Sequence, residues 1–196
     1  KMLPIIGKNT AAVCVADYDE DGDMDLFVGV QSRSGHYGSP TASYLLRNEN
    51  NKRFQPLSID LAEMVFDAAW EDMDQDGRVD LVVVGHWMPI TIFYNKKQSF
   101  EKYEIPNSEG WWYSLSIDDL DQDGNPDILA GNFGENHRFD VGSETPLTLY
   151  LDDFDTNGTS DPIITYQIDG KEYPYANLDL LLKQLPGKKK QFILHA

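Results

Sequence analysis

The stretch DYDEDGDMD, Asp17 to Asp25, decides how this chain is read, because it recurs three times: DMDQDGRVD at Asp72 to Asp80, DLDQDGNPD at Asp119 to Asp127 and DFDTNGTSD at Asp153 to Asp161. The shared pattern is Asp-x-Asp-x-Asp/Asn-Gly-x-x-Asp, and each copy runs on into an apolar stretch. Side-chain oxygens at alternate positions, a Gly that permits a sharp turn and a closing carboxylate suit a hard cation that takes oxygen ligands. Carboxylates this crowded repel one another, and a cation is the natural means of holding them together. An isolated Asp-Gly pair also makes an ordinary hairpin turn. Four copies sharing Asp at positions 1, 3 and 9 leave that account little room.

The surroundings of the loops repeat as well. A β-like run leads into each of the first two (Thr10 to Ala16; Val65 to Trp70), and a second leaves it (Leu26 to Val30; Leu81 to Gly85). Two short runs follow in each case, Tyr44 to Arg47 with Phe54 to Leu57, then Thr91 to Tyr94 with Phe100 to Ile105. The turns between them, Asn48 to Asn51 and Asn95 to Gln98, carry hairpin chemistry. Each unit therefore reads as four short antiparallel strands, and a sheet per repeat is the arrangement of propeller blades. A third unit begins alike with Trp111 to Ile117 and Ile128 to Gly131, then departs into the polar segment Asn132 to Glu144. Loop four follows loop three too closely for a full blade between them; Pro146 to Leu151 leads into it and Ile163 to Ile168 leaves it, before the turn Asp169-Gly170. The blade-like units span about residues 10–58, 64–106 and 111–145, with an irregular fourth over 146–196, all in a single domain. Near the end, Asn177 suits an N-cap, Leu178 to Leu185 a helix, and Pro186-Gly187 its stop. Lys188 to Lys190 read as a solvated basic patch.

The loops are not EF-hands. An EF-hand needs Glu at position 12 and a helix on each side, whereas position 12 is Val28, Val83, Ala130 and Ile164. Pro126 and Pro162 also forbid an exiting helix at their places. Thrombospondin-type acidic repeats come with many cysteines, and this chain has one, Cys14, read as a small buried residue of the run Ala11 to Val15.

The chain has 196 residues and a formal charge of −17, with 33 acidic residues. Four bound divalent cations would leave about −9, a balance that argues against nucleic acid and anionic membranes as partners. No run approaches the length of a membrane span, and no signal peptide is visible. The chain starts in mid-phrase at Lys1, so a processed or truncated piece of something longer is expected. His36, His86, His137 and His195 form no zinc spacing, and no phosphate loop or nucleophile elbow is present.

The strand–DxDxDGxxD–strand unit resembles the FG-GAP, or VCBS-type, repeat of integrin-like β-propellers. The stretch Tyr44-Leu45-Leu46-Arg47-Asn48 to Phe54 fits the same repeat, and the tail from Gly131-Asn132-Phe133-Gly134 through Asp153-Phe154-Asp155 to Tyr173-Pro174 and Leu185-Pro186 is similar to bacterial surface proteins of the ASPIC/UnbV-associated kind. The resemblance implies an all-β fold: a partial integrin-like β-propeller of four-stranded blades with a short C-terminal helix. It implies about four Ca2+ sites. Their side-chain ligands would be Asp17, Asp19, Asp21 and Asp25; Asp72, Asp74, Asp76 and Asp80; Asp119, Asp121, Asp123 and Asp127; and Asp153, Asp155, Asn157 and Asp161. The position-7 carbonyls of Asp23, Arg78, Asn125 and Thr159 would complete them. Loop four, with neutral Asn157 at position 5, is expected to bind most weakly. Two full units do not close a ring, so the rest of a longer chain or other copies are expected to complete it.

The expected function is a non-enzymatic, extracytoplasmic module for protein or glycan binding and adhesion at a cell surface, where millimolar calcium fills weak loops. The alternatives are an accessory scaffold of a surface enzyme or uptake system and, behind it, a hydrolase. The densest carboxylates serve better as cation ligands than as a glycosidase acid–base pair, because a bound cation keeps them ionised. Trp87, Trp111 and Trp112 are candidate ligand contacts. Strand alternation turns one of Trp111 and Trp112 inward, and blade packing competes with ligand anchoring as the reason for both. Asn132 to Arg138 is a second candidate surface.

Overall fold

The computed structural model describes residues 3–4, 6–134, 142 and 145–191, and the chain is all-β apart from one short helix. It divides into two compact units, one comprising residues up to Arg33 with Pro40–Phe133, the other Ser34–Ser39 with residues from Gly134 onward.

In the first unit β1 (Asn9–Ala16), β2 (Asp25–Ser32), β3 (Tyr44–Glu49) and β4 (Arg53–Ser58) form an antiparallel meander in that order. The second repeat is built likewise from β5 (Met64–Glu71), β6 (Asp80–Met88), β7 (Thr91–Asn95) and β8 (Phe100–Glu104). The third supplies β9 (Gly110–Asp118) and β10 (Asp127–Asn132), joined to the second where His86 and Met88 of β6 pair with Trp111 and Gly110 of β9. The lead-in strands lie against one another in the order β1, β5, β9, and each acidic phrase is the connection from a lead-in strand to the next. These are the four-stranded blades of a partial propeller; no closed barrel forms among the described residues.

The two faces of each sheet read directly from the sequence. In β6 the run LVVV alternates: Leu81 and Val83 pack with Ala12, Phe27, Val65 and Phe93, while Val82 and Val84 pack with Ile90 and Ile92. All seven residues from Asp80 to His86 are buried, as expected of a strand covered on both faces. Leu115, Ile117, Ile128 and Ala130 of the third repeat cover the second of these clusters, and Ala68 and Trp70 of β5 pack on the first.

Every lead-in strand of this unit carries a bulge six residues before its acidic phrase. The register skips Ala11, Phe66 and Tyr113, so that two residues oppose one on the partner strand. Across from the bulges stand Gly29, Gly85 and Gly131. A Cβ on Gly85 would come within 1.9 Å of the Met64 carbonyl oxygen, and one on Gly29 within 2.6 Å of Val65 Cγ1. Asp67, next to the bulge of β5, accepts the Leu115 N–H of β9 at 2.8 Å.

The second unit holds β11 (Thr148–Asp152), β12 (Asp161–Ile168) and β13 (Lys171–Pro174) in one antiparallel sheet. The turn Asp169-Gly170 has positive φ at both residues (49° and 71°), as a two-residue hairpin requires. The expected helix is α1 (Leu178–Gln184), with the Asn177 side chain accepting the Leu180 N–H at 2.9 Å. Pro186-Gly187 ends the α-helix but not the winding: Pro186–Gln191 is a 3-10 turn, so the lysine run begun at Lys188 is part of an ordered element. Gly187 N–H donates to Asp155 at 3.0 Å, tying that turn to loop four. Of the polar segment Asn132 to Glu144, most residues lie outside those described, as do His137 and His195.

Candidate metal centres

The four acidic phrases fold into one shape. Position 4 is left-handed in each (Glu20, Gln75, Gln122 and Thr156, φ 57–63°), and the following Gly22, Gly77, Gly124 and Gly158 sit at φ 88–89°, where only glycine is unstrained. The position-1 carboxylate accepts two backbone N–H groups, from positions 5 and 6: Asp17 from Asp21 (3.0 Å) and Gly22 (2.9 Å), with the same pair on Asp72, Asp119 and Asp153. The position-5 side chain accepts the position-7 N–H in Asp21, Asp76, Asp123 and Asn157. Position 9 reaches back to position 2: Asp80 accepts from Met73, Asp127 from Leu120 and Asp161 from Phe154.

This wiring brings three carboxylates together in each loop. Oxygens of Asp17, Asp19 and Asp25 lie within 4.8 Å of one another, as do those of Asp72, Asp74 and Asp80, of Asp119, Asp121 and Asp127, and of Asp153, Asp155 and Asp161. At that distance two ionised carboxylates repel by about 3 kcal/mol even at an effective dielectric of about 20. The trios therefore could hold metal ions. Position 5 stands outside the trio, one oxygen spent on the position-7 N–H. Three trio oxygens are buried with no hydrogen-bond partner among the described residues: Asp19 Oδ1, Asp25 Oδ2 and Asp155 Oδ1. A buried carboxylate oxygen without a donor is costly unless something else binds it, so the donor set fits a hard cation.

Burial raises the pKa of Asp25 to about 6, against the opposing pull of the Asn48 N–H, and raises Asp19, Asp80 and Asp161 above the ordinary carboxylate range for the same first reason. Cationic side chains take part in loop two: Lys96 Nζ lies 2.8 Å from Asp74, and Arg78 pairs with Asp76. Position 7 braces the loops by its side chain. Asp23 accepts from Asn51 N–H at 2.9 Å, Arg78 Nε donates to the Asn95 carbonyl at 2.9 Å, and Asn125 accepts from Gln75 at 3.0 Å.

Two residues escaped the sequence reading. Asn48 and Asn95, taken as the first residues of hairpin turns, are buried at the ends of β3 and β7. Asn48 N–H donates to Asp25 at 2.6 Å, and its side-chain amide to the Met24 carbonyl at 2.9 Å. Asn95 does the same for loop two, through Asp80 (2.7 Å) and Val79 (3.2 Å). The available signal was an Asn after the apolar run of the third strand in both full repeats.

The tryptophans separate. Trp111 meets Trp87 edge-to-face at 5.1 Å, with His86, Tyr113 and Phe133 around them. This cluster lies at the ends of β6 and β10 and the start of β9, opposite in strand direction to the acidic loops. Tyr113 and Phe133 are 44% and 46% exposed, and Trp87 has φ 60°, a strained backbone for an indole-bearing residue. Trp112 is elsewhere: it packs against the Val82, Val84 and Ile92 cluster and donates to the Ser108 carbonyl at 2.8 Å. Burial lowers the His86 pKa to about 4, keeping the ring neutral, and raises the half-buried Cys14 thiol to about 12. Of Asn132 to Arg138, residues 135–138 lie outside those described.

Known proteins bear on the same residues. The FG-GAP-like repeat matches residues 17–83 and again 72–130, more than half the chain and centred on loops one to three. The chain belongs to the FG-GAP-like repeat family. FG-GAP repeats often bind Ca2+ and are typically extracellular, and three of the four carboxylate trios, those of loops one to three, lie within the matched residues. Among curated proteins, a D-aminoacyl-tRNA deacylase of Plasmodium falciparum (isolate 3D7) is 30% identical over 93 residues, 45% of this chain and 55% of that protein. The FG-GAP chain thus spans about half the length of that relative. No described helix is long and apolar enough to cross a membrane.

Proposed function

We propose that this chain is a calcium-binding, extracytoplasmic β-propeller module that binds a protein or glycan without catalysing a reaction. The observation that carries the reading is the carboxylate trio repeated in four loops, with a buried oxygen in each of Asp19, Asp25 and Asp155 that makes no hydrogen bond among the described residues. Calcium supplies neutralisation of charge at each loop when bound. The chain's own residues do the rest: they fix the connection between the first two strands of each repeat and so make the surface rigid. About four sites are proposed, with the ligand oxygens at positions 1, 3, 5 and 9 and the position-7 carbonyl, and with loop four the weakest because Asn157 is neutral.

The exposed end of the first blade fits completion by a further blade. Ala68 and Trp70, four and two residues before loop two, are covered by the first repeat, and Leu115 and Ile117 before loop three by the second. Their counterparts before loop one, Val13 and Val15, are 63% and 57% exposed. The remainder of a longer chain, or another copy, would cover them. The ligand surface proposed is the Trp87–Trp111 cluster, whose aromatic faces suit a sugar ring or an apolar peptide side chain; Trp112 has no part in it. The typically extracellular setting of FG-GAP repeats supports a cell-surface role in adhesion, or as a scaffold beside a surface enzyme or uptake system.

Glycan and protein arrays probed with the full chain in calcium test this reading. A signal lost in EDTA and in Trp111→Ala supports it. Hydrolysis of glycoside or ester substrates that survives calcium removal would overturn the non-enzymatic assignment.

A further inference from the structure

One buried side chain touches two of the acidic loops. Asn95, at the end of β7, is 1% exposed. Its backbone N–H donates to Asp80 of loop two at 2.7 Å, and its side-chain amide donates to the Val79 carbonyl of the same loop at 3.2 Å. That amide also donates, at 2.7 Å, to the carbonyl of Tyr18 in loop one. Its own oxygen is held by the Lys97 N–H at 2.9 Å, so the amide cannot flip without losing three bonds.

The Tyr18 carbonyl belongs to the peptide unit that carries Asp19, the loop-one carboxylate whose buried Oδ1 makes no hydrogen bond among the described residues. The Tyr18 ring is wedged against Trp70 (6.0 Å) and Phe100 (5.8 Å) of the second repeat. The Tyr18 side of this peptide is thus packed against the second repeat. Any adjustment of Asp19 toward a cation bears on Asn95, and any adjustment of Asp80 bears on it from the other side.

We propose that Asn95 is a positioning residue that couples calcium binding at loops one and two, so that filling either loop raises the affinity of the other. The proposal rests on the reading of these loops as calcium sites. Asn48, the counterpart of Asn95 in the first repeat, serves its own loop through Asp25 and Met24 and provides the contrast. Loops two and three are also linked, by Gln75 to the Gly124 carbonyl at 2.6 Å and Asn125 at 3.0 Å, but Gln75 is exposed and water competes for those bonds.

Site-resolved titration of the full chain with calcium chloride tests the coupling. The amide signals of Gly22 and Gly77, one in each loop and both hydrogen-bonded to a trio carboxylate, report the two sites separately in 1H–15N spectra. Silencing loop two with Asp72→Asn is expected to raise the calcium concentration that half-fills loop one by about five-fold or more. In an Asn95→Ala background the same silencing is expected to move it by less than about two-fold, whereas an Asn48→Ala background leaves the coupling factor in place. Linkage requires the reverse experiment, Asp17→Asn read at Gly77, to return the same factor; this arm needs no Asn95 variant and stands even if Asn95→Ala does not fold. A loop-one midpoint unmoved by Asp72→Asn, or moved equally with and without Asn95, overturns the proposal. Gly22 and Gly77 signals that ignore calcium altogether refute the calcium reading instead, so the two failures are distinct.

Discussion

Replacing Asp25 by asparagine is predicted to change the sign of its effect on stability with calcium. Asp25 is fully buried, and burial lifts its pKa from 3.8 to about 6. Held ionised at pH 7, it therefore opposes folding of the metal-free chain. The full difference corresponds to roughly 3 kcal/mol; solvent reaching the loop reduces it to about 1–2 kcal/mol. Asp25→Asn removes that charge and keeps an oxygen for the Asn48 N–H, now at 2.6 Å. The new amide group lacks an acceptor, which costs about 1 kcal/mol. In EDTA the variant should therefore be as stable as the parent or more stable, by up to about 1 kcal/mol. In calcium the parent gains RT ln(1 + [Ca]/Kd) at loop one, about 1.4 kcal/mol for a Kd of about 0.1 mM in about 1 mM calcium. The variant forgoes this gain. Melting curves by circular dichroism in EDTA and in calcium should then show the variant level with the parent in the first and about 3–6 °C below it in the second. Equal destabilisation in both media would refute the reasoning, because Asp25 would then serve the fold alone.

Three further outcomes follow from the same geometry. The raised carboxylates Asp25, Asp19, Asp80 and Asp161 make the folded chain bind more protons than the unfolded one between about pH 4 and pH 6, so metal-free stability falls as pH rises through that window, while the gain from calcium shrinks as pH falls through it; a calcium-induced rise in Tm that is the same at pH 5 and pH 7 would contradict this. Gly85→Ala, whose Cβ would meet the Met64 carbonyl at 1.9 Å, should cost about 3 kcal/mol or more in urea unfolding, and a loss below about 1 kcal/mol would show that the bulge relaxes freely. Lys96→Met should tighten calcium binding at loop two by about two- to five-fold, since the ammonium 2.8 Å from Asp74 competes with a cation; unchanged or weaker binding by site-resolved titration would rule that competition out.

The fold was legible because its period is written twice, in charge and in apolarity. Each acidic phrase fixes where two strands meet, and LVVV in β6 declares a strand buried on both faces. Strand ends came out within one to three residues because Asp, Asn and Gly punctuate them. The candidate ligands were legible as residue types, but their arrangement was not. That position 5 turns to a neighbouring N–H, leaving positions 1, 3 and 9 as the trio, depends on φ near +60° at position 4 and near +89° at the glycine. Asn48 and Asn95 were read as turn formers because Asn is at home in turns; only the return of β3 and β7 to the loops shows them as braces. The bulges at Ala11, Phe66 and Tyr113 have no shared residue type, so nothing in composition marks them. The 3-10 turn after α1 was missed because Pro-Gly ends an α-helix without forbidding a tighter one.

Calorimetric titration of calcium into the chelator-stripped full chain, paired with melting curves in calcium and in EDTA, tests the central claim most directly. Saturable binding near four equivalents with a clear rise in Tm is the predicted result. A folded chain that shows neither calcium heat nor a shift in Tm would contradict it, and would reduce the four acidic phrases to turns.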